Sequence, residues 1–563
     1  MPPSALDGLP RMGLGLGSNL AADGLPDPFR LHAAEPGLFD YVEYSAPLAL
    51  ERAAREAPRF AALWAGRERL PALFHPVHLN LYGPELESPA ALAALDAHVR
   101  AMRSPWVSND VAWWHAGGHV FPGHRYLPPP FSRAALADCV AHARHVQDAL
   151  SVPLLLENPA VVARRGGMHV LDFFAELHAR TGCGLLLDLG HLLSHQLACG
   201  LPADAGLDGF PLEAVIELHV AGGVVTRHGA RRFYVDDHPQ PLREEVLALL
   251  AEVAPRCPRL RALTFEADGQ PDPIAATMLR RLRAHAPKPG PGDAMPAAEP
   301  AAAAHHDPVP AALGATRPWA VFTESFTGAP ASSAEPVEDP EGLRVELDFR
   351  LAVLAELVDR DWPWTRRLLA PDRAALLAFS ASPELRAHFE AGAGEDVAER
   401  FAAWCERRLA AAPDAEACLV LRFERTARAL AAEAARRAPP APGGVALAAG
   451  AGVGVFDHDL SELLYAGQGL QRHLDGRAQA AGAWEASGLE ALRQVARRAP
   501  PARWPFAVRR RAGRLELLPL PAGLARTLEA AARGGAWSAF TAAPGIHAGA
   551  VQWALASGWL QRG

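Results

Sequence analysis

The stretch LLLDLGHLLSH, residues 185–195, decides the reading of this chain. It starts as an apolar run of strand character and closes on Asp188, with His191 and His195 just beyond. Ionisable groups are seldom left at the end of a buried strand without a partner. An aspartate followed so soon by histidines asks for a metal ion. Asp188 is read as ending a strand and aiming at the metal, with His191 on the turn that follows. His195 fits a helix surface equally well.

Working outward, the same design recurs. The apolar runs MGLGLGSN, YVEYS, ALFHPVHLNL, WVSNDVAW, PLLLEN, GLLLDLG, AVIELHVA and LRALTFEAD follow one another before residue 290. Between several of them lie amphipathic helical patterns such as SRAALADCVAHARHVQDAL and HVLDFFAELHARTG. Eight strands separated by helix-length segments predict an α/β fold, a parallel (β/α)8 TIM barrel. The competing architecture is a doubly wound open sheet. It needs fewer strands, and the GLGLG of the first run lacks the GxGxxG spacing of a dinucleotide turn.

The runs end on polar residues: in order Asn19, Glu43, His75, Asp110, Glu157 with Asn158, Asp188 with His191, His219, and Glu266. In a barrel the C-terminal ends of the strands converge on one face, where active sites lie. So many carboxylates cannot share a small site without neutralisation, which metal ions supply. Mixed imidazole and carboxylate donors suit iron, manganese or zinc, and the lack of cysteine ligands argues against a structural zinc. The segment VDDHPQP adds Asp236 and His238 over the same mouth. Taken singly, His75 or His219 reads as a core histidine, and Glu157 as a turn cap working through Asn158. The recurrence at strand after strand carries the metal reading.

At 563 residues the chain is too long for one ordinary domain. The expected parts are a metal-binding barrel at 1–288, a Pro/Ala-rich linker at 289–340, a helical domain at 341–440, and an α/β or winged-helix-like domain at 441–563. His305 and His306 in the linker read as a solvated pair, and Trp362 and Trp364 in the helical part as packing residues. The C-terminal end reads as three short helices closing on Gly-Trp-Leu. A net charge of −8 weighs against nucleic-acid binding. Six scattered cysteines without CxxC spacing argue against a disulfide framework and for the cytoplasm. No signal-peptide pattern and no membrane-spanning apolar stretch is read. Scarce lysine and abundant alanine fit the codon bias of a G+C-rich bacterium.

Several motifs go further: GLGLGSN, FHPVHLNL with His75, LLEN at 155–158 with Glu157, GLLLDLGH with Asp188, ELHVAGG with His219, DDHP with Asp236 and His238, and the late Glu266. Over residues 13–283 they resemble the multinuclear non-heme iron-dependent oxidative enzymes, the family that includes the methanobactin-forming oxidase. The matched residues are ligands there. Three positions depart: Asp110 stands where the family has histidine, His191 where it has asparagine, and Gly223 where it has histidine. DLGH is also similar to the DTGH of xylose-isomerase and endonuclease-IV-like barrels.

The resemblance implies oxidation of a ribosomally made precursor peptide at cysteine, with O2 as co-substrate and about two or three iron ions. It casts Glu157, Asp188, His219, Asp236, His238 and Glu266 as the catalytic set, with His75, Asp110 and His191 as further ligands. The C-terminal half is read as a peptide-binding partner protein fused in cis. Two other classes compete: a metal-dependent hydrolase or isomerase of the endonuclease-IV or xylose-isomerase type, and a nonenzymatic metal-sensing regulator.

Overall fold

The computed structural model describes residues 4–21, 24–67, 69–76, 78–116, 119–121, 126–289, 339–390, 397–437, 440–464, 487–511 and 514–563. Nearly all of the expected linker, with His305 and His306, lies outside the described residues. The chain divides into two compact units, Met1–Leu347 and Asp348–Gly563.

The first unit is a closed barrel of eight parallel strands. They are β1 (Gly13–Ser18), β2 (Tyr41–Tyr44), β3 (Ala72–Phe74), β4 (Val107–Asp110), β5 (Leu154–Glu157), β6 (Gly184–Asp188), β7 (Val215–Ala221) and β8 (Ala262–Glu266). Each pairs with its neighbour in sequence, and β8 closes on β1. The open-sheet alternative is therefore set aside, and all eight apolar runs become barrel strands.

The period-2 alternation of a strand sorts the side chains into two sets. Outward residues such as Leu16, Val42, Phe74, Leu156, Leu187, Val220 and Phe265 join the main core with the surrounding helices. Inward residues Tyr41, Leu73, Trp106, Leu155, Leu186 and Ala262 form a smaller apolar cluster with Leu6 and Met12. Gly15 belongs to this inner wall, because a Cβ there would lie 2.2 Å from the Tyr41 ring. Two residues further along, the same inward parity falls on Glu43, His75, Glu157 and Asp188, and in β8 it runs from Ala262 through Thr264 to Glu266. Trp106 reaches Asp110 by the same parity through Ser108. The register shift between β6 and β7 sets Glu217 opposite Leu186 and His219 opposite Asp188.

The connection after β7 is an antiparallel hairpin, Gly223–His228 with Arg231–Asp236. It ends at Asp236 and leads to His238. The first unit also runs past its expected end. Asp339 accepts hydrogen bonds from the Arg164 and Gly342 N–H groups at 3.0 Å each and from Arg231 Nη2 at 2.9 Å. The residues just after the linker are thus fastened to the loop after β5 and to the hairpin.

The second unit begins helical, with Pro363–Leu369, Arg373–Ser380, Pro383–Glu390, Val397–Ala411 and Ala415–Ala435. Trp362 and Trp364 are buried in it, and Trp364 stacks on Phe423. An antiparallel three-stranded sheet follows, made of Gly452–His458, Pro501–Arg511 and Arg514–Pro519. The expected three terminal helices are Ala522–Ala532, Trp537–Ala542 and Ala548–Ala556. No helix among the described residues is long and apolar enough to cross a membrane.

Candidate metal centre

Asp188 explains the stretch that opened the reading. It is the last residue of β6 and the N-cap of helix Leu189–Cys199, its Oδ1 accepting from the His191 N–H at 2.6 Å. A short polar side chain at this position satisfies an otherwise orphaned helix donor. It leaves Oδ2 buried without a hydrogen-bond partner. Asn158 ties the strand ends together: its Oδ1 accepts from the Asp188 N–H at 2.9 Å and its Nδ2 donates to the Asp188 carbonyl at 3.0 Å. His191 Nδ1 lies 2.8 Å from the Asn158 carbonyl, which can only accept, so Nδ1 carries the proton there.

Glu157 is central. Its Oε1 lies 3.5 Å from His191 Nδ1 and 3.5 Å from His219 Nδ1, and its Oε2 lies 3.5 Å from His75 Nε2. His75 is oriented from behind by Ser108, whose hydroxyl is 3.0 Å from Nδ1. Asp110 Oδ1 approaches His191 at 3.8 Å. His219 Nδ1 also faces Glu266 Oε2 at 3.5 Å. Asp236 Oδ2 lies 2.9 Å from His238 Nε2 and 3.6 Å from His191 Nε2. All nine residues nominated from sequence therefore meet at one end of the barrel. His195 does not: it is buried against Phe131 and His169, and burial lowers its pKa to about 3.

The electrostatics describe a metal-free cluster sharing protons. Burial, reinforced by Glu157, raises the Asp110 carboxyl well above its ordinary range. Burial, partly offset by His191, raises Asp188 to about 7. For His191, His219 and His238 burial acts downward, but the surrounding carboxylates outweigh it and all three are raised. Burial lowers His75.

The donor atoms fit a metal. Glu43–His75–His219, His75–Asp110–Glu157, Glu157–Asp188–His191 and Asp188–His219–Glu266 each bring three ligand atoms within 4.8 Å of one another. Asp110 Oδ1, Glu157 Oε2, Asp188 Oδ2, His219 Nδ1 and Asp236 Oδ1 are all buried without a hydrogen-bond partner. Leaving five such atoms unmatched would cost on the order of 1–3 kcal/mol each. A cation shared among them removes that cost.

Sequence reasoning underuses two residues. Glu43 is recognised as a strand end but not counted with the site. Glu217 escapes notice, although it sits two residues before His219 on the same strand and so shares its inward parity. At Gly223 a Cβ would lie 2.2 Å from the buried Tyr234 ring. The space next to that backbone, where the resembling family carries a histidine, is taken by a phenol from the opposite hairpin strand.

Residues 11–286 match the profile of a family described as "RiPP precursor modification enzyme MbnB/TglH/ChrH". A UPF0276 protein of Caulobacter vibrioides is 35% identical over 230 residues, which is 40% of this chain and 80% of that protein. A UPF0276 protein of Bordetella parapertussis is 35% identical over 232 residues, 39% of this chain and 76% of the relative. Among solved structures, the IOLI protein with a bound zinc atom is 11% identical, covers 48% of this chain and 96% of its own, and has a TM-score of 0.34. Endonuclease IV from Thermus thermophilus is 21% identical, with 49% and 98% covered and a TM-score of 0.32.

Proposed function

We propose that this chain, which belongs to the MbnB/TglH/ChrH family of RiPP precursor modification enzymes, oxidises a ribosomally made precursor peptide at a cysteine. O2 is the co-substrate, and about two or three iron ions are held by His75, Asp110, Glu157, Asp188, His191, His219, Asp236, His238 and Glu266. The supporting observation is the set of buried, unpartnered donor atoms at the barrel mouth. Bound iron would supply the electron transfer to O2 that carboxylates and imidazoles cannot. The chain's own residues do the rest. Asn158 and Ser108 hold Asp188 and His75 in place, and the hairpin carries Asp236 and His238 over the site. Tyr126, within reach of the Asp110 charge, is packed edge-on by the buried Trp114 at 4.7 Å.

The test is anaerobic purification followed by metal analysis and O2 uptake with a precursor peptide encoded nearby. Iron at two or more per chain, with peptide-dependent O2 consumption, is the expected result. Zinc or manganese without O2 uptake would overturn it in favour of a hydrolase or isomerase.

In this reading residues after 340, winged-helix-like towards their end, hold the peptide and stand in for a separate partner protein. Hydrogen exchange on the full chain with and without peptide checks it. Protection confined to the barrel would refute this role for the second unit.

A further inference from the structure

His219 stands on a base that no motif announced. Its ring is fully buried and has two unlike surroundings. Nδ1 faces Glu157 and Glu266, as described, and has no hydrogen-bond partner. Nε2 faces down into the barrel, 3.0 Å from Glu43 Oε1, 3.2 Å from Glu43 Oε2 and 3.6 Å from Glu217 Oε1. Glu217 is itself fixed: the Trp106 indole N–H donates to its Oε2 at 2.8 Å, and the Thr264 hydroxyl to its Oε1 at 3.1 Å. Thr264 Oγ1 lies 2.7 Å from the Tyr41 hydroxyl. Glu217 and Thr264 are wholly buried and Glu43 is 3% exposed, so this polar layer lies below the mouth and above the apolar cluster.

We infer that Glu43 and Glu217 are positioning residues, which keep the proton of His219 on Nε2 and thereby present the Nδ1 lone pair to the metal centre. The inference deepens the metal-centre reading and rests on it. A neutral imidazole carries its proton on either nitrogen, and the partner of one nitrogen decides what the other offers. Three carboxyl oxygens from two glutamates converge on this one nitrogen, and a proton on Nε2 is the arrangement in which they can all act as acceptors towards it. Turning the ring over would aim a lone pair at two carboxylates and an N–H at the metal's side of the ring. Carboxylates behind a ligand histidine commonly fix its tautomer in this way, and losing one costs about 10–100-fold in metal affinity.

The test uses the full chain with 15N-labelled histidine, loaded with 113Cd(II) as a diamagnetic probe. His219 is assigned by its loss in His219→Gln. In the unaltered chain, coupling to cadmium at Nδ1 and a proton on Nε2 are expected. In Glu43→Gln with Glu217→Gln, an amide can donate to Nε2. The proton should then move to Nδ1 and Cd(II) affinity fall about 10–100-fold, with the thermal midpoint showing that the fold is kept. A proton on Nδ1 in the unaltered chain would overturn the inference, as would a doubly altered chain with unchanged tautomer and affinity. If the double variant does not fold, Glu43→Gln alone carries the same readout. If the unaltered chain takes up no metal, the metal-centre reading fails. The position of the proton, read in the metal-free chain at alkaline pH, then still decides the tautomer inference.

Discussion

Asp188→Asn separates the cost of the candidate site from its use. The carboxylate caps helix Leu189–Cys199 through Oδ1 and keeps Oδ2 unpartnered while fully buried. Burial is the main cause of its rise from 3.8 to about 7 in the metal-free protein. A carboxyl raised on folding contributes stability that is present below its ordinary value and lost as pH rises through its folded value. At ~1.36 kcal/mol per pH unit, the rise from 3.8 to about 7 corresponds to about 4 kcal/mol lost by pH 8. Protons redistribute among coupled neighbours, which makes that figure a ceiling. Asparagine caps a helix as well as aspartate does and never ionises. The metal-free variant should therefore match the unaltered chain near pH 4 and exceed it progressively, by up to about 4 kcal/mol, at pH 8. Metal affinity should move the opposite way, because a charged donor is gone. Urea unfolding of the metal-free barrel at several pH values and a metal titration of both proteins measure the two effects. A variant no more stable than the unaltered chain at pH 8, or one with undiminished metal affinity, would refute the reasoning.

Asp110→Ala should lower metal content, measured by elemental analysis; full content and full activity would make Asp110 a structural residue only. Loading should displace protons from His191, His219 and His238, whose imidazoles are raised by the surrounding carboxylates. Metal affinity should then climb as pH rises above the ordinary imidazole value of 6.5, and calorimetry in buffers of differing ionisation enthalpy would count the protons. Gly223→Ala should destabilise the barrel by about 1–3 kcal/mol through the clash with Tyr234, and less when Tyr234→Ala makes room; thermal midpoints read both. In the second unit, Glu424 accepts from the Trp364 and Thr365 N–H groups at 2.9 Å each, and burial raises it from 4.5 to about 7. It should cost that unit about 3 kcal/mol as pH rises from 4.5 through 7, a dependence that Glu424→Gln should flatten.

The barrel and its nine meeting side chains are legible because strand length, apolar content and a polar last residue coincide in the same short runs. GLLLD is apolar on both faces, as a strand walled by helices outside and packed residues inside must be. Glu217 is not legible by the same rule. The rule looks at strand ends, and Glu217 lies inside β7, where a carboxylate is tolerated only because Trp106, Thr264 and His219 surround it. Those partners come mostly from other strands and have no mark in the local sequence. The hairpin after β7 is hidden because GGVVTRHGARRFYVDD reads as a loop until Gly223 and Asp236 are seen to pair. His195 is ambiguous for a related reason. Its spacing after His191 fits a ligand face, and only the packing of Phe131 and His169 turns it away.

The attachment of Asp339 sets where this protein can be taken apart. The chain leaves the barrel at Pro289, beside Gly13 at the opening of β1, and is next described at Asp339, clasped by Arg164 and Arg231 at the opposite face. A gene cut at residue 288 would strip the barrel of a piece it uses, taking the Asp339 carboxylate away from the Arg231 guanidinium and the Arg164 N–H. The division between the two compact units falls at Leu347, inside helix Pro340–Asp359, so a cut there breaks a continuous helix.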